Sequence, residues 1–364
     1  MKKILILANS DIGLYKFRKE LIEELLKEND VFISLPYGDY VNELVEMGCS
    51  YIDTQISRRG TNPITDFKLM IKYRKILKRI KPDIVLTYTI KPNIYGGLMC
   101  RYTKTPYIAN ITGLGSAVEN GGIMQKFTTM LYKIALKKAR CVFFQNKENK
   151  NFFDKNNIKY RKFILIPGSG VNIDEYKYEE YPTDDSVIKF LYIGRIMKDK
   201  GVSELITAIL KIKAVYLNVL FDFIGECDEE YHNKLIELEK KGIIKYHGRQ
   251  NDVRPFIKES HATILPSYHE GISNVLLESA ALGRPVLASN VAGCYETFDE
   301  GISGLGFKVK DADSLEDAIS KFIKIPYTKK KEMGIEGRKK ISNEFNRKIV
   351  TNAYINQINK SLNK

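Results

Sequence analysis

Glu270 and Glu278 stand eight positions apart in the segment Pro266-Ser-Tyr-His-Glu-Gly-Ile-Ser-Asn-Val-Leu-Leu-Glu278. About 70 residues earlier, Gly194-Arg-Ile-Met-Lys-Asp-Lys-Gly201 places Arg195 and Lys200 around a glycine turn. Carboxylates can hold sugar hydroxyls. Two cations can hold a diphosphate and stabilise it as it leaves, with no metal required. Together the two segments describe a nucleotide-sugar site. Apart, each reads as less: two surface acids beside a tight Gly271 turn, and a solvated basic loop.

Both segments sit where a strand gives way to a helix. Ala262-Thr-Ile-Leu265 reads as a buried strand and 274–281 as a helix whose start is marked by Ser273-Asn274. Lys189–Ile193 reads as the strand before Arg195, and a helix begins near Val202. In open parallel sheets, ligands bind at such carboxyl ends, and a helix start offers free N–H groups to phosphate.

The same alternation runs along the chain. Strands are expected at 4–8, 31–35, 83–87, 107–111, 141–144, 163–166, 189–193, 220–224, 244–247, 262–265 and 285–288. Helices are expected over roughly 15–28, 39–47, 66–81 and 123–140. Continuous apolar strands with helices between them mean parallel sheets covered on both faces. The alternation breaks at Pro167-Gly-Ser-Gly-Val-Asn-Ile-Asp174 and the polar stretch to Ser186. The fold class is therefore α/β, with two Rossmann-like units. The first spans 1–167 and the second 172–345, and a last helix over 346–362 lies beyond the second unit's final strand.

A chain of 364 residues exceeds the usual limit of one core, in keeping with two domains. The five cysteines are scattered and lack metal-ligand spacing, so they read as reduced thiols in a cytoplasmic protein. No run approaches 18 apolar residues, and the start reads as a first strand rather than a signal peptide. The net charge of +14 lies wholly within residues 1–165, which hold 29 Lys and Arg against 15 Asp and Glu. That half is expected to meet something anionic.

Two helical stretches carry much of this charge. In 66–81, Lys68, Lys72, Lys75 and Arg79 oppose Leu69, Met70, Tyr73, Ile76, Leu77 and Ile80, with Arg74 and Lys78 beside them. In 123–140, Met124, Phe127, Leu131 and Ile134 alternate with Lys126, Lys133, Lys137, Lys138 and Arg140. Each fits a covering helix with a solvated face, or a helix on a membrane surface.

Other chemistries find less support. The four histidines have no metal-ligand spacing, although His269 stands beside Glu270. Val118 breaks a dinucleotide Gly-x-Gly-x-x-Gly reading of Gly113-Leu-Gly115, and there is no Gly-x4-Gly-Lys-Ser/Thr loop. Asp311-Ala-Asp313 lies late, in a helix-capping context.

Gly-Arg-x4-Lys-Gly followed by Pro-Ser-x2-Glu-Gly-x6-Glu resembles the family-4 retaining glycosyltransferases of GT-B fold. The resemblance extends over nearly the whole chain. It takes in Gly13 with Phe17-Arg18, Tyr88-Thr-Ile-Lys-Pro-Asn93, Ile111-Thr-Gly-Leu-Gly115, Pro167-Gly-Ser-Gly-Val-Asn172, Gly248-Arg-Gln-Asn-Asp252 and Gly283-Arg-Pro-Val286. Ser57-Arg-Arg-Gly-Thr-Asn-Pro63 and Thr112–Gly115 resemble the branch that builds bacterial polysaccharide units on a lipid carrier.

The resemblance implies two domains facing across a cleft, a last helix (346–362) crossing back to the first, and a role for each site residue. Arg195 and Lys200 would grip the leaving diphosphate. Glu278 would hold the ribose and Glu270 the donor sugar. The backbone of Gly271, Ile272, Ser273 and Asn274 would lie near phosphate and sugar. Gly13 would let the first loop approach the diphosphate, and Arg249 and Val253 would seat the base. Many relatives carry a histidine in the loop equivalent to 88–93. Here Thr89 and Lys91 stand as the candidates.

The expectation is a metal-independent, retaining hexosyltransferase with no cofactor. It would move a hexose or N-acetylhexosamine from a UDP-sugar to a polyprenyl-diphosphate-linked sugar. It would sit peripherally on the inner face of the cell membrane. Arg58, Arg59, Lys68, Lys72, Lys75 and Arg79 would meet lipid phosphates, and nucleic acid is not expected. Two other classes fit parts of the pattern. An epimerase of the same architecture would isomerise free nucleotide sugar, and a basic nucleic-acid-binding protein would explain the charge alone.

Overall fold

The fully apolar runs become the buried strands. The structure, a computed structural model, describes residues 1–56, 62–114, 122–183 and 186–362. The chain divides into two units, Met1–Ser169 with Lys348–Lys364, and Gly170–Arg347.

The first unit runs β1 (Lys2–Leu7), α1 (Asp11–Leu26), β2 (Asn29–Leu35), α2 (Val41–Glu46), β3 (Ser50–Asp53), α3 (Pro63–Ile80) and β4 (Ile84–Tyr88). A π-helical stretch, Pro92–Gly96, leads into α4 (Gly97–Thr103). Then come β5 (Tyr107–Ile111), α5 (Gly122–Leu136), β6 (Cys141–Phe144), α6 (Lys147–Lys155) and β7 (Phe163–Leu165). Among the described residues the sheet has seven strands, ordered β3-β2-β1-β4-β5-β6-β7, each pair parallel.

The second unit runs β8 (Ile188–Ile193), α7 (Val202–Val215), β9 (Val219–Ile224), α8 (Glu229–Lys240), β10 (Lys245–Tyr246), α9 (Arg254–Glu259), β11 (Ala262–Leu265), α10 (Asn274–Ala281), β12 (Val286–Ser289), β13 (Gly304–Phe307), α11 (Ala312–Lys324) and α12 (Tyr327–Glu344). Its six parallel strands are ordered β10-β9-β8-β11-β12-β13. The last helix, α13 (Arg347–Leu362), packs into the first unit's core, where Val350, Tyr354 and Ile358 join Ile4, Ile6, Ile33 and Phe143.

Several elements depart from the sequence reading. α1 begins at Asp11, earlier than expected, because Ser10 caps it and its hydroxyl accepts from Gly13 N at 3.4 Å. β3 escaped notice because Ser-Tyr-Ile-Asp is a half-exposed edge with no apolar run. β13 is glycine-rich for a packing reason: a Cβ on Gly304 would lie 2.5 Å from the Val286 carbonyl.

On α5 the structure decides a direction that the sequence left open: Phe127 and Ile134 are exposed, while Thr128, Thr129 and Tyr132 point inward. Charge also divides by unit. The first carries 32 Lys and Arg against 15 Asp and Glu, net +17, and the second 26 against 29, net −3.

Candidate active site

In the second sheet the strand order reverses between β8 and β11, the place where open α/β sheets bind ligands. The loop after β8 carries Arg195 and Lys200; the loop after β11 carries Glu270. Lys200 Nζ donates to Glu270 Oε1 at 2.5 Å, so the ion pair spans the switch point. Both side chains are about four-fifths buried.

Close approach of the loops depends on glycine. Gly201 has φ +68°, and a Cβ there would lie 2.0 Å from the Pro266 carbonyl. Tyr268 N donates to Asp199 O at 3.0 Å, closing the same contact. On the other flank, Ser273 N donates to Gly293 O at 2.8 Å, and the Ser273 hydroxyl caps α10 by accepting from Leu276 N. Gly271, Ile272, Ser273 and Asn274 are thus held in one strand-to-helix turn. Cys294 is buried behind the ion pair, and desolvation pushes its thiol far up, so it is inert.

Arg195 is exposed, and its backbone is fixed by the Tyr192 hydroxyl, which donates to Arg195 O at 2.7 Å. Glu278 is half-buried on the second turn of α10. Burial, and then the Glu278 charge, push the Tyr176 phenol up, which places the carboxylate beside that ring. Val253 packs with Tyr176, Phe256 and Val275 around Leu191 and Ile257. Arg249 lies further out, exposed and 3.1 Å from Glu226.

The first sheet reverses between β1 and β4. Gly13 belongs to the first turn of α1 rather than to a loop, with helical backbone. A Cβ there would meet nothing nearer than Ser10 Cβ at 3.8 Å, so neither conformation nor packing requires this glycine.

After β4, Thr89 adopts φ +71°, rare for a β-branched residue, and its hydroxyl is buried without a hydrogen-bond partner. A buried network holds it there. Thr87 donates to Asn93 Oδ1 at 2.6 Å, Asn93 Nδ2 donates to Asn110 O at 2.8 Å, and Asn110 Nδ2 donates to Thr87 O at 2.9 Å.

Lys91, the other loop candidate, is ion-paired. It donates to Asp66 at 2.7 Å, largely buried, and Tyr95 donates to the second oxygen of the same carboxylate. Lys91 therefore ties α3 to the helix after β4, and its ammonium has three donors, so the pair leaves its place as an acceptor candidate open. Thr89→Gly is expected to stabilise the chain by about 1 kcal/mol through released strain. If Thr89 faces substrate, the same variant loses turnover. Melting and transfer measured on one preparation check both, and unchanged turnover removes Thr89 from the site.

Of the proposed phosphate-facing cations, Lys68, Lys72, Lys75 and Arg79 are exposed on α3. Lys72, Lys75 and Arg79 line a groove with Ile52, Asp53 and Ile76. Arg58, Arg59 and Gly115 lie outside the described residues. Arg18, noted in sequence only as part of a motif, is buried between the rings of Tyr88 and Tyr354, 5.3 and 5.8 Å away.

Two family models match the chain: Glycosyl transferase 4-like over residues 3–146 and Glycosyl transferases group 1 over 175–340. The chain belongs to the GT4-type glycosyltransferases. A curated relative in Campylobacter jejuni, N,N'-diacetylbacillosaminyl-diphospho-undecaprenol alpha-1,3-N-acetylgalactosaminyltransferase, is 28% identical and covers 87% of this chain and 88% of its own. An Escherichia coli relative, UDP-Gal:alpha-D-GlcNAc-diphosphoundecaprenol alpha-1,3-galactosyltransferase, is 24% identical over 85% of this chain and 83% of its own.

Among solved structures, sucrose-phosphate synthase from Thermosynechococcus elongatus superposes with TM-score 0.81 at 18% identity, covering 100% and 99% of the two chains. Anabaena HepE, solved with UDP and glucose, superposes at 0.80 and 17% identity, covering 99% and 100%. These likenesses establish the GT-B fold. The glycosyltransferase has its two family segments in separate units, and the Lys200–Glu270 pair falls in the group 1 segment.

Proposed function

We propose that this glycosyltransferase moves a hexose or N-acetylhexosamine, with retention and without a metal, from a UDP-sugar to a polyprenyl-diphosphate-linked sugar. The observation that carries the reading is the Lys200–Glu270 pair across the switch point of the second sheet. A lysine ammonium has three donors, so Lys200 can stay on Glu270 and still offer donors to a phosphate. Glu270 keeps an oxygen for the sugar hydroxyls. Arg195 adds a second cation, Glu278 receives the ribose, and the Val253 turn receives the base, with Arg249 at its rim. The open side of Gly13 suits an approaching phosphate.

In this reading the acceptor hydroxyl attacks C1 on the face from which the diphosphate departs. The bond from C1 to the phosphate oxygen breaks, the bond from C1 to the acceptor oxygen forms, and the hydroxyl proton passes to the leaving phosphate oxygen. Lys200 and Arg195 stabilise the negative charge that develops. The lipid-linked acceptor is drawn from the names of the curated relatives and from the net +17 of the first unit. Such an acceptor places the protein peripherally at the inner face of the cell membrane.

A panel of nucleotide sugars in a thermal-shift assay tests the donor. At about 100 times its Kd, a ligand stabilises by roughly 2.7 kcal/mol. UDP-sugars are expected to shift melting with or without EDTA. A shift with GDP- or ADP-sugars alone would overturn the UDP assignment. Isomerisation of free UDP-sugar without acceptor would favour the epimerase reading instead.

A further inference from the structure

We infer that the first unit inserts into the acyl boundary of an anionic bilayer through the exposed apolar ridges of α3 and α5. The inference rests on the lipid-linked acceptor proposed above, and it names the surface by which the enzyme reaches that lipid. On α5, Ile123 (87% exposed), Phe127, Met130 and Ile134 form one outward ridge at helical spacing. Its inner face holds Thr128, Thr129, Tyr132, Ala135 and Leu136, and the Thr129 hydroxyl is buried without a partner. The outward ridge is therefore not explained by packing against the sheet. On α3, Ile64 and Phe67 (62% exposed) do the same at its start.

These ridges share one layer. α4 lies between the two helices: Arg74 of α3 donates to the Tyr102 hydroxyl at 3.2 Å, and Arg101 donates to Ile134 O of α5. Both α3 and α5 follow strands of a parallel sheet, so both start at its carboxyl edge. On α3, exposed Lys68 stands beside Phe67 and further cations follow; on α5, Lys126 and Lys133 stand within the ridge. α3 continues with exposed Lys72, Lys75, Lys78 and Arg79, and α5 leads to Lys137 and Lys138. At 1.5 Å per residue, the apolar centre (Ile64, Phe67) and the cationic centre (Lys72–Arg79) of α3 are roughly 16 Å apart. That spacing suits side chains at the acyl boundary with cations among lipid phosphates.

The net +17 of this unit complements an anionic surface and opposes a same-face dimer. Among the described residues no helix is long and apolar enough to cross a membrane, so the contact is insertion at the interface.

The chain has no tryptophan, so Phe127→Trp supplies a unique reporter. With phosphatidylglycerol vesicles its emission is expected to shift blue and to be quenched by lipids brominated on the acyl chains. Flotation of the full chain should leave a bound fraction in high salt. Phe67→Ser with Phe127→Ser should remove that fraction and weaken binding at least about tenfold. The double variant should still transfer to a water-soluble, short-chain acceptor. No quenching, or full binding by the double variant, overturns the inference. So does conversion of a dimer to a monomer by the double variant, which would assign the face to a second copy. Absence of transfer by the wild type to any lipid-linked acceptor would count against the proposed acceptor, while the vesicle readout stands independently.

Discussion

Lys200→Ala is expected to lower kcat/KM for sugar transfer by about 10²- to 10³-fold, or about 2.7–4 kcal/mol of transition-state stabilisation. The ammonium sits across the switch point from Glu270, 2.5 Å away and mostly buried, where its charge is weakly screened. Two side chains of the pair are proposed to face different parts of the donor, and this separates their variants. Lys200→Ala should weaken UDP itself, because the lost contact is to phosphate. Glu270→Gln should leave UDP binding nearly intact and lose turnover, because its contact is to the sugar. Calorimetric titration with UDP, beside transfer rates, reads both effects. Transfer by Lys200→Ala within a few-fold of wild type would remove the lysine from the chemistry.

Arg284→Met is expected to be the most damaging change to stability, at about 3–5 kcal/mol. Arg284 is completely buried and, among the described residues, donates only to backbone carbonyls: Glu179, Glu180, Ile257, Lys258, Leu282 and Gly283, at 2.8–3.3 Å. Desolvation lowers its pKa from the usual arginine value, yet the guanidinium still ties the Tyr178–Tyr181 segment to α9 and α10. Methionine fills similar space and leaves those carbonyls unsatisfied. A domain of this size loses roughly 2–4 °C of melting temperature per kcal/mol, so the drop should be about 6–20 °C by circular dichroism. Arg284→Lys should rescue only part of it, having three donors rather than five. A loss of transfer without a loss of melting temperature would make Arg284 a site residue instead.

Much of the fold was legible because burial on both faces leaves an unbroken apolar run. Tyr107–Ile111, Cys141–Phe144 and Ala262–Leu265 match residue for residue, as does the helix Asn274–Ala281, with Ser273 as its cap. The edge strand β3 and the glycine-rich β13 carry no such run. Periodicity in α5 revealed spacing but not direction, since Met124, Phe127, Leu131 and Ile134 look alike in sequence whether they face sheet or solvent.

The loops were legible as chemistry rather than as geometry. Arg195, Lys200 and Glu270 stand out by type, while the ion pair across 70 positions of sequence emerges only when β8 and β11 lie side by side. Lys91 shows the same limit: its partner Asp66 is 25 positions away, on another helix. Arg284 sat in a motif suggestive of function and proved to be a brace. Thr89 gave no sign of its backbone conformation, which the Thr87–Asn93–Asn110 network imposes from outside the residue.

The placement of α13 has a consequence for synthesis. The second unit is one continuous stretch, Gly170–Arg347, and can close as soon as it has left the ribosome. The first unit cannot. Its core reserves places for Val350, Tyr354 and Ile358, and the Tyr354 ring stacks on Phe143 at 4.3 Å. The unit translated first is therefore completed last. A nascent chain carries an unsealed apolar seam along β1, β4 and β6 until α13 emerges, and a chain cut short before Lys348 has a finished second unit beside a first unit with an open core.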